Sequence, residues 1–163
     1  ADRLPGSELA ARSLMRIGDF QFARRRWVEA AATYLDYIGR FRGRYRSDEA
    51  LLKAAQATYA QFDDANHDDT PLIEAEQLFR QYLAQYPNTP GAEQAGEALR
   101  EITDLKAEKA YMTGRFYERV GRPVSAAVYY RDVARKYPGT PWAAPAARAF
   151  DALDVELPEE MQP

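Results

Sequence analysis

The sequence contains no cysteine. Disulfide scaffolds, cysteine zinc sites, iron–sulfur clusters and thiol nucleophiles are thereby excluded. One histidine in 163 residues leaves little room for a histidine-rich metal site or a Ser-His-Asp triad. No apolar run approaches the ~18 residues of a membrane span, and no hydrophobic leader opens at Ala1. The excess of one charge sign is small, with 22 basic and 25 acidic residues giving −3, which argues against a general nucleic-acid binder. Alternating β-branched and polar residues are missing as well, so no strand is expected. What is present is 46% hydrophobic and 29% charged residues, a globular balance in a chain long enough to bury a core.

Alanine, leucine, glutamate, glutamine and arginine fill the segment interiors, and these favour helix. Threonine-proline pairs at Thr70-Pro71, Thr89-Pro90 and Thr140-Pro141 each look like an N-cap hydroxyl followed by a first-turn proline. Ser47 before Asp48 and Glu49 reads the same way. Stops fall at Gly43, the stretch 63–69, Pro87, Gly121, Pro138 and Pro158. These signals predict seven helices, over roughly 7–24, 26–41, 47–63, 71–86, 90–120, 123–137 and 141–153, with short connections that make sequential helices antiparallel neighbours.

An internal repeat organises them. A shift of 51 residues superposes Ala75 on Ala126, Phe79 on Tyr130, Tyr86 on Tyr137, Pro87 on Pro138 and Thr89 on Thr140. A shift of 45 superposes Ala30 on Ala75, Tyr34 on Phe79, Tyr37 on Tyr82 and Ala50 on Ala95. A small residue that admits a close helix approach, followed by an aromatic that fills the next gap, is the signature of stacked helical hairpins. Leu14, Ile17, Gly18, Ala30 and Tyr34 match the apolar, leucine, glycine, alanine and aromatic positions of the tetratricopeptide motif. Gly114, Tyr117, Gly121, Ala126, Tyr130 and Pro138 match another copy. The middle copy has Asp63 at the glycine position, Arg42 replaces the final proline of the first copy, and the periods exceed the ~34 residues of the plain motif. The expected fold is an all-α, tetratricopeptide-like α-solenoid of about three hairpins plus a closing C-terminal helix. As one array over residues 1–163 it has repeats at about 7–46, 47–88 and 89–139, a closing helix at 140–154 and an acidic tail at 155–163.

A closer resemblance runs from about Leu72 to Phe150. Its elements are Tyr86-Pro-Asn-Thr-Pro90, the stretch Leu105 to Tyr111, Phe116-Tyr-Glu-Arg-Val-Gly-Arg-Pro123 and Lys136-Tyr-Pro-Gly-Thr-Pro-Trp142. They resemble the outer-membrane protein assembly factor BamD family, with weaker similarity back to Gly18. The resemblance implies a periplasmic lipoprotein, associated with the outer membrane, that scaffolds β-barrel assembly. It implies protein partners: the barrel-forming subunit or its periplasmic domain, and unfolded outer-membrane protein segments. It implies no enzymatic activity, cofactor, metal or nucleic acid. Members carry further repeats and a lipidated N-terminal cysteine, whereas this sequence has no cysteine to serve as a lipid anchor. The competing reading is another periplasmic tetratricopeptide adaptor, coordinating other cell-envelope machinery or serving as a subunit of a larger complex.

Three groups of residues are candidates for binding. Counted along the tetratricopeptide motif, Arg12, Met15, Asp19 and Phe22 fall on the groove-lining positions of the first copy, a composition suited to an extended or helical peptide. Arg42, Arg44 and Arg46, with Arg24, Arg25 and Arg26 nearby, make a basic upstream end; residues 1–60 carry +4 and residues 61–163 carry −7. Such an end suits an acidic protein surface or anionic headgroups, and equally suits arginine stems covering helix ends. Tyr111, Arg115, Arg119 and Arg122 follow one another at the downstream end, an aromatic with arginines as in an interface hot spot. That end is where the resemblance places the barrel-forming subunit, although the arginines could instead pair with Glu108 and Glu118. The acidic run 63–69 with His67 lacks the spacing of a calcium loop and reads as a solvated connection before the next helix. Glu97 and Glu101 stand one helical turn apart without a catalytic partner set. The remaining aromatics read as core.

Overall fold

Close approach at two glycines sets the hairpin geometry. A computed structural model describes residues 5–41, 43, 46–63 and 68–157. A Cβ added at Gly18 would lie 2.6 Å from the Tyr34 ring, and one at Gly114 would lie 2.7 Å from the Tyr130 ring. The glycines therefore let an aromatic of the second helix lie against the backbone of the first. Among the described residues the chain forms seven helices: α1 (Pro5–Ala23), α2 (Trp27–Phe41), α3 (Ser47–Tyr59), α4 (Thr70–Gln85), α5 (Gly91–Arg119), α6 (Pro123–Lys136) and α7 (Ala143–Leu153). About 80% of those residues are helical and none forms a strand. The class is the all-α, tetratricopeptide-like one expected from the motif spacing.

The chain divides into two compact units, up to Leu99 and from Arg100 onward, with the boundary inside α5. In the first, α1 packs on α2, α2 on α3 and α3 on α4. Its core joins Ala11, Met15, Ala30, Ala31, Tyr34, Tyr37, Phe41, Ala50, Ala54 and Ala57. Gly91, at the start of α5, is placed so that a Cβ there would strike the Tyr82 hydroxyl and Leu52. In the second unit α6 packs on α7. Its core joins Ala107, Ala126, Tyr130, Val133 and Ala146, with Tyr111, Tyr117, Tyr137, Trp142 and Phe150 packed around them. The alanines expected at close crossings, Ala30, Ala75 and Ala126, are fully buried.

Several local expectations are corrected. Thr89 and Thr140 do not open the helices that follow them. Each hydroxyl donates to the carbonyl three residues back, Tyr86 at 2.8 Å and Tyr137 at 2.9 Å, and so closes the preceding helix. Thr70 is already helical, and the Asp68 carboxylate accepts its N–H at 2.9 Å. Ser47 is the first residue of α3, and its hydroxyl donates to the Phe41 carbonyl at 3.1 Å across the turn from α2. The glycine position expected at Asp63 lies beyond the end of α3, because the connection 60–69 is longer than the connection 24–26. Small-residue packing in α3 falls instead to Ala50, Ala54, Ala55 and Ala57, all fully buried. Ile17, at the leucine position of the motif, is 48% exposed.

Candidate functional site

The residues assigned to the peptide groove are mostly engaged elsewhere. Met15 is 1% exposed and belongs to the core, so it lines no groove. Its neighbour one turn on, Gly18, brings Tyr34 close enough to cover that side of α1. Phe22 packs edge-on against Trp27 at 4.9 Å and supports the first core. Asp19 accepts hydrogen bonds from the Tyr34 hydroxyl at 2.8 Å and from Lys53 Nζ at 2.5 Å. It therefore ties α1, α2 and α3 together. Only Arg12 stands in solvent, paired one turn back with Glu8 at 2.7 Å.

Lys53 was not legible as a site residue, because its partners are supplied by the fold. Besides Asp19 it reaches Glu49 at 3.0 Å, and its ammonium stands 5.9 Å from the Tyr34 ring centre. Burial works against the Lys53 charge, but the bonds to Asp19 and Glu49 outweigh it and hold its pKa above the ordinary value. Burial, then the bond to Asp19, pushes the Tyr34 phenol upward too, so it stays a donor. Arg46 joins the same network. It sits in the left-handed region at φ 59° and forks onto Glu49 with two bonds of 2.5 Å. These bonds, then those of Lys53, lower the Glu49 pKa. Arg46 is thus part of the α3 entry. Arg42 and Arg44 lie outside the described residues.

The downstream group splits. Tyr111 packs against Tyr130 and Trp142, both at 5.4 Å between ring centres, and is half-buried against the core of the second unit. Arg115, Arg119 and Arg122 are exposed. The Arg119 guanidinium lies 5.9 Å from the Phe116 ring centre. Arg122 follows Gly121, whose φ of 73° turns the chain, and its backbone N–H donates to the Tyr117 carbonyl at 2.9 Å. Glu118, one of the two acids offered as alternative partners of the arginines, accepts from the Tyr130 hydroxyl at 2.6 Å. Beside them stand Met112 and Phe116 on α5 and Val120 just past its end, four residues apart and 43%, 48% and 47% exposed; the Val120 N–H still donates to the Phe116 carbonyl at 3.1 Å. This ridge escaped the sequence reading, which took the aromatics as core; the four-residue spacing of three large apolar residues was the signal.

The acidic connection shows no ligand geometry where it is described. Asp68 caps α4, and its hydrogen bonds with Thr70 hold its carboxyl below the ordinary range. Residues 64–67 lie outside the described residues. Among the described residues no His, Asp or Glu group is placed to hold a metal, and no helix is long and apolar enough to cross a membrane.

The YfiO family, described as "Outer membrane lipoprotein", matches residues 2–156. The chain belongs to the YfiO family. A curated relative, the outer membrane protein assembly factor BamD of Rickettsia prowazekii (strain Madrid E), is 24% identical over 136 residues. That match covers 83% of this chain and 54% of the relative, so the chain spans about half the length of the protein it is similar to. The family match embraces all seven helices and both units.

Proposed function

We propose that this chain is a non-enzymatic docking scaffold in outer-membrane β-barrel protein assembly, working on the periplasmic side of the outer membrane. Family membership over residues 2–156 carries the reading, and the name of the rickettsial relative supplies the process. Its partners are then the barrel-forming subunit, through its periplasmic domain, and segments of unfolded outer-membrane proteins. No residue of this sequence is proposed to carry a lipid. The docking site is the downstream end of α5, where Arg115 and Arg119 share an exposed face with Phe116. Exposed arginines around an aromatic supply both charge steering and an apolar anchor.

The test is copurification of the chain with the barrel-forming subunit from envelope extracts. The wild type should retain the subunit, and Arg115→Glu with Arg119→Glu should lose it while helicity stays constant. Loss of copurification for the wild type itself would reject the function. Binding that survives the double reversal would reject this site and keep the function.

A further inference from the structure

The first helix carries an exposed face that neither the fold nor the proposed docking site uses. At 3.6 residues per turn, Leu9, Ser13, Arg16, Ile17, Phe20 and Arg24 share one side of α1. Arg24 follows the last turn, but its N–H still donates to the Phe20 carbonyl at 3.3 Å, so it continues that face. Leu9 is 69% exposed, Ile17 48% and Phe20 54%. Three large apolar side chains on one helix side amount to more than the scattered exposure of an ordinary surface. The Arg24 guanidinium covers the Phe20 ring at 4.5 Å. Arg16, Arg24 and Arg25 have no carboxylate partner among the described residues. The nearby acids look away: Glu8 pairs with Arg12, and Asp19 is held by Tyr34 and Lys53. The Ser13 hydroxyl is turned inward onto the Leu9 carbonyl at 2.8 Å.

We infer that this face of α1 lies on an anionic phospholipid surface. A free acid on the face would oppose such contact, and none is present. Arginines beside phenylalanine, leucine and isoleucine are the composition of helices that rest in the headgroup boundary, with guanidinium groups at the phosphates and apolar groups just below. A single helix side is convex, and a lipid interface accepts convex side chains without a shaped pocket. Family membership among outer membrane lipoproteins brings a bilayer within reach. The inference does not depend on the docking of any protein partner.

Vesicle flotation of the whole chain tests it. Vesicles of phosphatidylglycerol mixed with phosphatidylcholine should carry the chain, and pure phosphatidylcholine should not. Arg16→Gln with Arg24→Gln and Arg25→Gln should weaken partitioning on the order of a hundredfold. Ile17→Ser with Phe20→Ser should weaken it about tenfold. Circular dichroism establishes that both variants remain helical. A second readout needs no loss of binding. The cysteine-free background allows a single Leu9→Cys label with an environment-sensitive dye, compared with the same label at Gln77→Cys, an exposed position on α4 of the same unit. Addition of anionic vesicles should shift the first to the blue and leave the second unchanged. No binding to anionic vesicles, equal shifts of both labels, or binding indifferent to both sets of substitutions overturns the inference. If vesicles fail while the same substitutions abolish copurification of a protein, the face is a protein interface and the lipid assignment is rejected.

Discussion

The hairpin α1–α2 and the hairpin formed by α6 with the downstream half of α5 are closed by one device and tied down by two. In both, a glycine admits a buried tyrosine, Gly18 with Tyr34 and Gly114 with Tyr130. Both tyrosine hydroxyls donate to a carboxylate on the glycine-bearing helix, at 2.8 Å to Asp19 and 2.6 Å to Glu118. The surroundings then diverge. Around Tyr34 the third layer is charged: Lys53 bridges Asp19 and Glu49, and Arg46 forks onto Glu49. Around Tyr130 the third layer is aromatic, with Tyr111 between it and Trp142. The repeat thus conserves close approach inside a hairpin and leaves the contact with the next helix to local chemistry. Such charge networks respond to acid and salt, whereas ring packing responds to volume.

The largest expected effect lies in the aromatic layer. Trp142→Ala removes the ring against Tyr111 and opens a cavity beside Tyr130. Trp142 is half-buried, so the cost should be about 2–3 kcal/mol, at or below the lower end for a large aromatic. The loss should be confined to the second unit. Trp27 fluorescence in that variant reports the first unit, and its melting transition should stay in place while the helical signal falls earlier. A single transition displaced as a whole would show that the two units do not melt independently.

Next in size is the shared device. An ordinary helical glycine gains about 1 kcal/mol of helix preference when replaced by alanine. Here the new methyl group would meet a buried tyrosine ring, at 2.6 Å for Gly18 and 2.7 Å for Gly114. Both Gly18→Ala and Gly114→Ala should therefore lose stability, by about 1–3 kcal/mol each in urea titration. Similar losses would establish the two hairpins as equivalent. A loss at one position only would show that the third layer decides whether the tyrosine can retreat.

Element order and type were legible because helix formers, breakers and the Gly–aromatic repeat all agree. Ala30, Ala75 and Ala126 are buried where the repeat register places them. The errors share a cause. Thr89 and Thr140 look like caps of the next helix because a proline follows them, yet a hydroxyl beside a just-ended helix finds a free carbonyl first. Asp63 was misplaced because a longer connection between α3 and α4 breaks a fixed period. The candidate site was less legible. Counting along a motif selects helix positions but not what covers them. It put Met15 in a groove and Tyr111 on a surface, when neighbours that meet only in three dimensions bury the first and stack on the second. The arginines were visible in the sequence. Which of them keep free heads depended on where Glu49, Glu118 and Phe116 came to lie.

The smallest expected effect separates the charged layer from the aromatic one by pH. The Glu49 carboxyl has a lowered pKa, chiefly through the Arg46 hydrogen bonds and then through Lys53. A folded value below the unfolded 4.5 means that this group adds stability above pH 4.5 and loses it as the pH falls through the folded value. In the second unit, burial works against the Asp132 charge, but its bonds to Lys136 and Arg131 prevail and lower its pKa below the ordinary 3.8. The same sign holds there, with loss beginning only below pH 3.8. Acid should therefore weaken the first unit at a higher pH than the second. Trp142→Phe leaves Trp27 to report the first unit, and Trp27→Phe leaves Trp142 to report the second. Melting temperatures followed downward from neutral pH should bend first for the Trp27 signal. Arg46→Gln should flatten that bend, because the Glu49 carboxyl then returns toward its unfolded value and binds its proton in both states alike. Coincident acid profiles from the two tryptophans would remove the distinction between a charge-tied and an aromatic-tied hairpin, since the Lys53 network would then contribute nothing that Tyr111 and Trp142 do not.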